Sequence, residues 1–231
     1  SGTHIFKADK QVIEKLLEHK NLLASGKLQH SFPHSWRSKA PLVYRATSQW
    51  FISMEKKDLR KKALKAIDET TFYPKRGKDR IRSMIETRPD WCISRQRIWG
   101  VPLPLFVSKK TKEPLRDPEV IENIAKIYEQ EGADCWFTDD PQKFLGKKYN
   151  KEDFIKSSDI VEVWFDSGAT HSYVLEKRKD LLWPATMYLE GSDQHRGWFH
   201  SSLLEACGTR GKAPFKNILT HGFVVDGKGL K

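Results

Sequence analysis

Apolar and polar positions switch period repeatedly along this chain, and the switches outline its elements. In residues 5–24, Ile13, Leu16, Leu17, Leu22 and Leu23 recur among charged residues at helical spacing, which predicts an amphipathic packing helix. Gly26 and Lys27 break the pattern, and Pro33 in HSFPHSWR forces an extended or turning chain. Residues 42–52 alternate enough apolar and β-branched side chains for one or two short strands ending at Trp50 and Phe51. Leu59, Ala63, Leu64 and Ile67 then share one face of a helix expected over 56–69. Pro74 and Gly77 mark a turn, and 79–86 reads as a basic helix stopped before Pro89. Residues 91–99 read as a compact helix or loop, and 101–106, with prolines at alternate positions, as an edge strand.

A charged, turn-rich stretch at 109–118 opens an insertion, assigned to 107–158, with a helix at 118–131 and irregular chain at 134–146. The core pattern resumes at Asp159. Residues 161–165 predict a short strand or helix entry, 172–182 a helix or loop, and 187–189 a buried parallel strand. Residues 197–208 predict a helix with Leu203, Leu204 and Cys207 inward, and 218–225 a strand interrupted at His221 and Gly222. Strand, helix, strand in that order is the grammar of an α/β doubly wound sheet. In such a sheet ligands bind beyond the carboxyl ends of the strands, which singles out MYLEGSDQHRGWFH at 187–200. Carboxylates there can accept hydrogen bonds from ribose hydroxyls or pair with an ammonium, and a glycine lets a flat base approach the backbone. The plain alternative is a strand-to-helix loop in which Ser192 or Asp193 caps the helix.

Composition narrows the class. An apolar fraction of 38% over 231 residues permits a proper core, with no run of about 18 apolar residues and no charged-then-apolar leader, so a cytoplasmic protein without a membrane span is expected. Cys92, Cys135 and Cys207 are odd in number and far apart, which predicts reduced thiols and neither a disulfide framework nor a cysteine zinc site. His30 and His34 have helical spacing, but Pro33 between them and the lack of a cysteine partner argue against a metal. A net charge of +11 favours a polyanionic partner. The basic clusters at 56–65 and 75–82 are either solvated helix faces or, with tryptophans and arginines interleaved nearby, part of an RNA surface.

Three stretches carry a resemblance: residues 188–199, RPDWCISRQRIWGVPLP at 88–104, and VWFDSG at 163–168. Together they resemble the class I aminoacyl-tRNA synthetases of the isoleucine, valine and leucine group. The aspartate in WFDSG and the wording EGSDQHRGWF favour the isoleucine branch, and residues 30–37 and 217–231 extend the match. The resemblance implies the second half of a Rossmann-like parallel sheet with a smaller α+β insertion. Its segments would be the tail of an editing-domain insertion with a connecting helix (1–30), a catalytic portion with basic helices (31–106), a connective insertion (107–158) and the second catalytic half (159–231).

The activity so implied is activation of isoleucine by ATP, with Mg2+, to an adenylate, followed by transfer to tRNA(Ile) by a monomeric whole protein. A carboxylate is already a nucleophile at neutral pH, so in-line attack on the α-phosphate requires alignment and charge stabilisation more than a base. No triad is therefore expected, although His195, His200 and His221 invite one; an ordinary hydrogen-bonded side chain is expected for His200. Carried over by resemblance, Glu190 binds the adenylate, Gly191 and Asp193 serve the ribose, and Gln194 the amino acid end. Trp198 and Trp164 would wall a rigid apolar amino acid pocket, with core packing as the alternative for each. His221 and Gly222 fall to ATP, and Arg88, Arg95 and Arg97 to the tRNA acceptor end, with a structural tie between insertion and sheet as the alternative. Lys231 matches the first lysine of the family's Lys-Met-Ser-Lys-Ser phosphate loop. A slot lined by indoles holds a side chain one methylene shorter nearly as well, and the resemblance answers this with a separate hydrolytic editing domain. No His-Ile-Gly-His motif occurs in the sequence, so an interior piece, inactive alone, is expected. A valine-type synthetase and a non-catalytic basic RNA-binding module are the rival readings.

Overall fold

Segments of this chain become regular where they find a partner, and several partners are far away in sequence. The computed structural model describes residues 2–97 and 99–231; Ile98, inside the stretch expected as compact helix or loop, lies outside the described residues. The chain divides into two units, 1–47 and 48–231. In the first, a 3-10 turn at Ile5–Lys7 leads into helix α1 (Asp9–Glu18), none of whose residues is buried. The helix is shorter than the 5–24 expected. Lys20 takes a left-handed φ of 55°, and the Asn21 N–H turns back to the Leu16 carbonyl at 2.9 Å, so Leu22 and Leu23 leave the apolar stripe. His34 and Pro41 form an isolated bridge.

The second unit begins with β1 (Phe51–Ile52), all that forms of the strands expected over 42–52. Left-handed Lys57 and Asp58 delay α2 to Leu59–Asp68. There follow β2 (Thr71–Tyr73), α3 (Arg76–Glu86), β3 (Trp91–Cys92) and β4 (Ser94–Arg95). The stretch from residue 91 is thus extended, because β3 pairs antiparallel with β1, and β4 with a strand more than sixty residues on, at Ile160–Val161. Between them, β5 (Phe106–Ser108) pairs antiparallel with β6 (Phe154–Lys156) and frames α4 (Pro118–Glu131), α5 (Cys135–Thr138) and α6 (Pro141–Leu145). The edge strand expected at 101–106 reduces to a single bridge between Pro102 and Ile160, and two short helices replace the irregular chain expected at 134–146.

Helix α4 forms where expected: Asp117 accepts the Glu119 N–H at 2.9 Å, Pro118 occupies the first turn, and Gly132 ends the helix at φ 83°. Lys148 and Tyr149 hydrogen-bond the Asp117 carboxylate and hold its pKa down at about 2. Val120, Ile124, Trp136, Phe144 and Leu145 close a separate small core here with Phe106.

The chain then runs through β7 (Ile160–Val161), α7 (Val163–Gly168), a π-helical turn at His171–Leu175, β8 (Ala185–Gly191), α8 (Trp198–Arg210) and β9 (Phe215–His221). Strands β2, β9 and β8, in that order, make a three-stranded parallel sheet. Its first strand was not expected: three residues carry no readable alternation, and their partners are Asn217 to Leu219. Phe72, Tyr188, Phe215 and Ile218 pack with Ile67, Ile81, Phe199 and Leu203 into the main core, where each fully buried side chain of this size contributes about 1.5–3 kcal/mol. Leu203, Leu204 and Cys207 face inward as expected. Strand β8 is parallel as expected but not buried on both faces, since Met187 is 40% and Leu189 56% exposed. Strand β9 starts and ends earlier than the 218–225 expected; its register with β8 stops at His221, and the following residues are exposed.

One buried carboxylate joins three of these pieces. Glu162 accepts the Trp91 indole N–H at 2.9 Å with one oxygen; with the other it caps α7 through the Trp164 N–H at 3.2 Å and faces Arg95 at 3.6 Å. Glu162→Ala leaves a buried indole N–H unsatisfied and α7 uncapped, an expected loss of about 2–3 kcal/mol in urea unfolding. Arg95 is 42% exposed, so solvent screens its lost partner.

Glu205 on α8 is buried against Gly168, and burial, with Asp166 and Glu162 nearby, pushes its carboxyl up to about 9. Between its ordinary value of 4.5 and about 9 the unfolded chain has lost this proton while the folded chain keeps it, so stability falls as pH rises through that window. Glu205→Gln is expected to flatten this slope and raise the urea midpoint at neutral pH; an unchanged pH profile refutes the assignment.

Candidate active site at the carboxyl rim of the parallel strands

Strand β8 ends on Glu190 and Gly191, whose register partners on β9 are Thr220 and His221, so both strands deliver polar groups to one rim. Glu190 is exposed, with one carboxylate oxygen accepting the Gly191 N–H at 2.8 Å. A Cβ on Gly191 would stand 2.5 Å from Asp193 Oδ1, so that carboxylate can approach the backbone only over a glycine. A 3-10 turn, Ser192–His195, then connects to α8. Neither Ser192 nor Asp193 caps that helix. Gln194 does so, its Oε1 accepting the Trp198 N–H at 2.8 Å while its amide donates to Asp193 at 3.2 Å.

Trp198 is half-buried. One ring face stacks on Tyr188 at 4.1 Å and 3°, and its indole N–H donates to the Ser167 carbonyl at 3.1 Å. Packing thus fixes the ring without covering it. Trp164, 43% exposed, lies across Gly197: a Cβ there would meet Gln194 Oε1 at 2.4 Å and the Trp164 ring at 3.0 Å. The rim therefore gathers Glu190, Gly191, Asp193, Gln194, Trp198 and Trp164, with His221 beside Gly191. Gly222 follows in exposed chain, and the Lys231 ammonium lies over the Phe223 ring at 3.8 Å.

The arginines separate. Arg95 and Arg97 line a cavity of about 800 Å³ with Trp164, whereas Arg88 stacks over Trp91 at 5.5 Å and is drawn into the protein. Arg95 also donates to the carbonyls of Cys92 and Ser94 at 3.0 and 2.8 Å, which anchors its guanidinium to its own stretch of chain.

The histidines are not poised for proton transfer. His195 is buried, donates from Nδ1 to the Ser192 carbonyl at 2.7 Å, and has its pKa lowered by burial. Burial pushes His200 down to about 3, and neither ring nitrogen finds a hydrogen-bond partner, which corrects the hydrogen-bonded side chain expected there. His30 and His34 turn their Nδ1 atoms to nearby carbonyls. Glu131, Cys135 and Asp139 bring three possible ligand atoms within 4.8 Å of one another, but the Lys143 ammonium already pairs with both carboxylates. All three cysteines are free thiols, and among the described residues no helix is long and apolar enough to cross a membrane.

Sequence reasoning missed Glu162, Tyr188 and the Ser167 carbonyl, which hold the two tryptophans, and Asp134 and Phe137 of the insertion, which reach the cavity. For Glu162 a signal existed: a lone carboxylate inside the apolar run IVEVWF. Gly197→Ala is expected to lose about 1–3 kcal/mol through the forced shift of Gln194 or Trp164. Urea unfolding and the tryptophan emission spectrum measure both effects.

The model of the family "tRNA synthetases class I (I, L, M and V)" matches residues 5–231. An isoleucine--tRNA ligase of Pelagibacter ubique is 74% identical over 230 residues, covering 100% of this chain and 25% of that protein. An isoleucine--tRNA ligase of Caulobacter vibrioides is 55% identical over 231 residues, covering 97% of this chain and 24% of that protein. The chain spans about a quarter of the length of the curated relatives it matches. A solved leucyl-tRNA synthetase complex of Agrobacterium radiobacter K84 aligns over 65% of this chain and 23% of that one, at 19% identity and a TM-score of 0.40, a likeness too distant to build on. With a parallel sheet whose rim carries these residues and a family match over almost its whole length, the chain belongs to the class I tRNA synthetases of the isoleucine, leucine, methionine and valine group.

Proposed function

We propose that this chain supplies part of the synthetic site of a cytoplasmic, monomeric isoleucine–tRNA ligase, which activates isoleucine with ATP as its Mg2+ complex and esterifies tRNA(Ile). The observation that carries the reading is the rim itself: Gln194 links Asp193 to the Trp198 N–H, Trp164 lies across Gly197, and Glu190 stands at the end of the strand that leads into this turn. Such a site can hold the charged and the apolar end of one activated amino acid. The identity to isoleucine--tRNA ligases, 74% and 55%, favours isoleucine over the valine-type rival, and the family match disfavours an RNA-binding module without catalysis.

In this reading the exposed Glu190 carboxylate binds the adenylate, Gly191 and Asp193 the ribose, and Gln194 the amino acid end. The uncovered face of Trp198 and the ring of Trp164 wall the side-chain pocket. His221 and Gly222, at the end of the neighbouring strand, border ATP, and Lys231 neutralises its phosphates. Arg97 and Arg95 face the tRNA acceptor end. Arg88, which stacks over Trp91, stands behind them in the same stretch. Residues 107–158 form a connective insertion between two catalytic portions. In the activation step rate enhancement comes from alignment and electrostatics on a carboxylate that needs no proton removed, consistent with the lowered pKa values of the buried His195 and His200.

In the full-length protein, Glu190→Gln is expected to lower kcat/KM for isoleucine-dependent ATP–pyrophosphate exchange about 10- to 100-fold, the range for losing a charged hydrogen bond. Unchanged exchange, or exchange driven better by valine than by isoleucine, overturns the reading. The 231-residue chain alone, which contains no His-Ile-Gly-His motif, is expected to give no isoleucine-dependent exchange, and measurable turnover refutes that.

A further inference from the structure

Trp198, Ser201 and Glu205 recur at helical spacing along α8 and so share one face of it, the face on which α7 rests. The two helices meet at neighbouring residues of α7. The Trp198 indole N–H donates to the Ser167 carbonyl at 3.1 Å, and buried Gly168 lies over Ser201 and Glu205. A Cβ on Gly168 would collide with Glu205 Oε1 and stand 3.0 Å from the carbonyl carbon of Ser201, so this approach requires glycine. The first turn of the same short helix carries Trp164, under the Glu162 cap. The seating of α7 on α8 therefore sets the spacing of both rings.

Glu205 is an unexpected side chain for that contact. It is 9% exposed, and among the described residues its Oε1 has no hydrogen-bond partner. The groups that face it are themselves acids: Asp166 and Glu162 from the side of α7, and the Tyr188 phenol from β8. Arg210, further along α8, is taken up by Glu176 at 2.7 Å. A carboxylate so placed has neither donor nor cation to hold its charge, whereas a neutral acid needs no counter-charge. We propose that Glu205 is a positioning residue of the isoleucine site: as a neutral acid it seats α7 on α8 and keeps Trp164 and Trp198 at their spacing, and as a carboxylate it pushes α7 away and loosens the pocket wall. This rests on the reading of the rim as the isoleucine site and deepens it, because the wall then depends on a proton that no substrate touches. Burial pushes the carboxyl up to about 9, so isoleucine binds the protonated form and is lost as pH rises through that value.

The test is isoleucine-dependent ATP–pyrophosphate exchange by the full-length protein, in wild type, Glu205→Gln and Glu205→Met, two neutral replacements of similar length. The ammonium of free isoleucine also loses its proton at alkaline pH, equally for all three proteins, so the difference between them isolates Glu205. From about pH 7 to about pH 9.5, kcat/KM for isoleucine is expected to fall about fourfold more in wild type than in either variant, as follows when only the neutral form binds. The kcat at saturating isoleucine and the KM for ATP should change alike in all three. Should one variant fail to fold, the other decides. If kcat/KM for isoleucine falls equally in wild type and variant, or if the extra fall is in kcat, Glu205 does not position the pocket and the proposal fails while the isoleucine reading stands. If wild-type exchange does not depend on isoleucine, that reading fails and takes the proposal with it.

Discussion

The Glu162 carboxylate is the constraint on which the arrangement turns. It ties the antiparallel ribbon at Trp91 and Arg95 to the first turn of α7, and so sets where the Trp164 ring stands. A charge buried to 5% exposure is costly unless its oxygens are occupied, and here an indole N–H, a helix-terminal N–H and a guanidinium occupy them. The rim at Gly197 and the cavity beside it share Trp164 as a wall, so one buried group fixes the geometry of both.

The parallel strands supply the other half. Strands β8 and β9 end together, and their register brings Gly191 next to His221 at the rim. Beyond the rim, small clearances decide the site: Gly191 admits Asp193, Gly197 admits Trp164, and Gln194 does the capping that a serine or aspartate does in most helices. These polar groups are thereby held in place by the chain itself.

Much of this was legible from residue order alone. The helix at Pro118–Glu131 announces itself by Asp117, Pro118 and Gly132, local signals acting within one turn. The inward face of α8 followed from the spacing of Leu203, Leu204 and Cys207, and the rim residues from an apolar run passing into EGSDQHRGW. Local chemistry also limited what could be read. Two- and three-residue strands such as Thr71–Tyr73 and Ser94–Arg95 have no periodicity, and they exist only because Asn217 to Leu219 and Ile160 to Val161 lie alongside them.

The sequence by itself determined the family, the βαβ order, the principal helices and the residues that reach the rim, because each depends on interactions between near neighbours or on long matched stretches. Only the tertiary structure decided that Glu162 is buried and shared among three partners, that Arg88 turns inward while Arg97 faces a cavity, and that Phe137 of the insertion reaches the same cavity as Trp164. The reason is physical: burial and hydrogen-bond satisfaction are properties of segments meeting in space, and positions such as Thr71–Tyr73 and Phe137, far in sequence from the residues they meet, carry no local trace of that meeting.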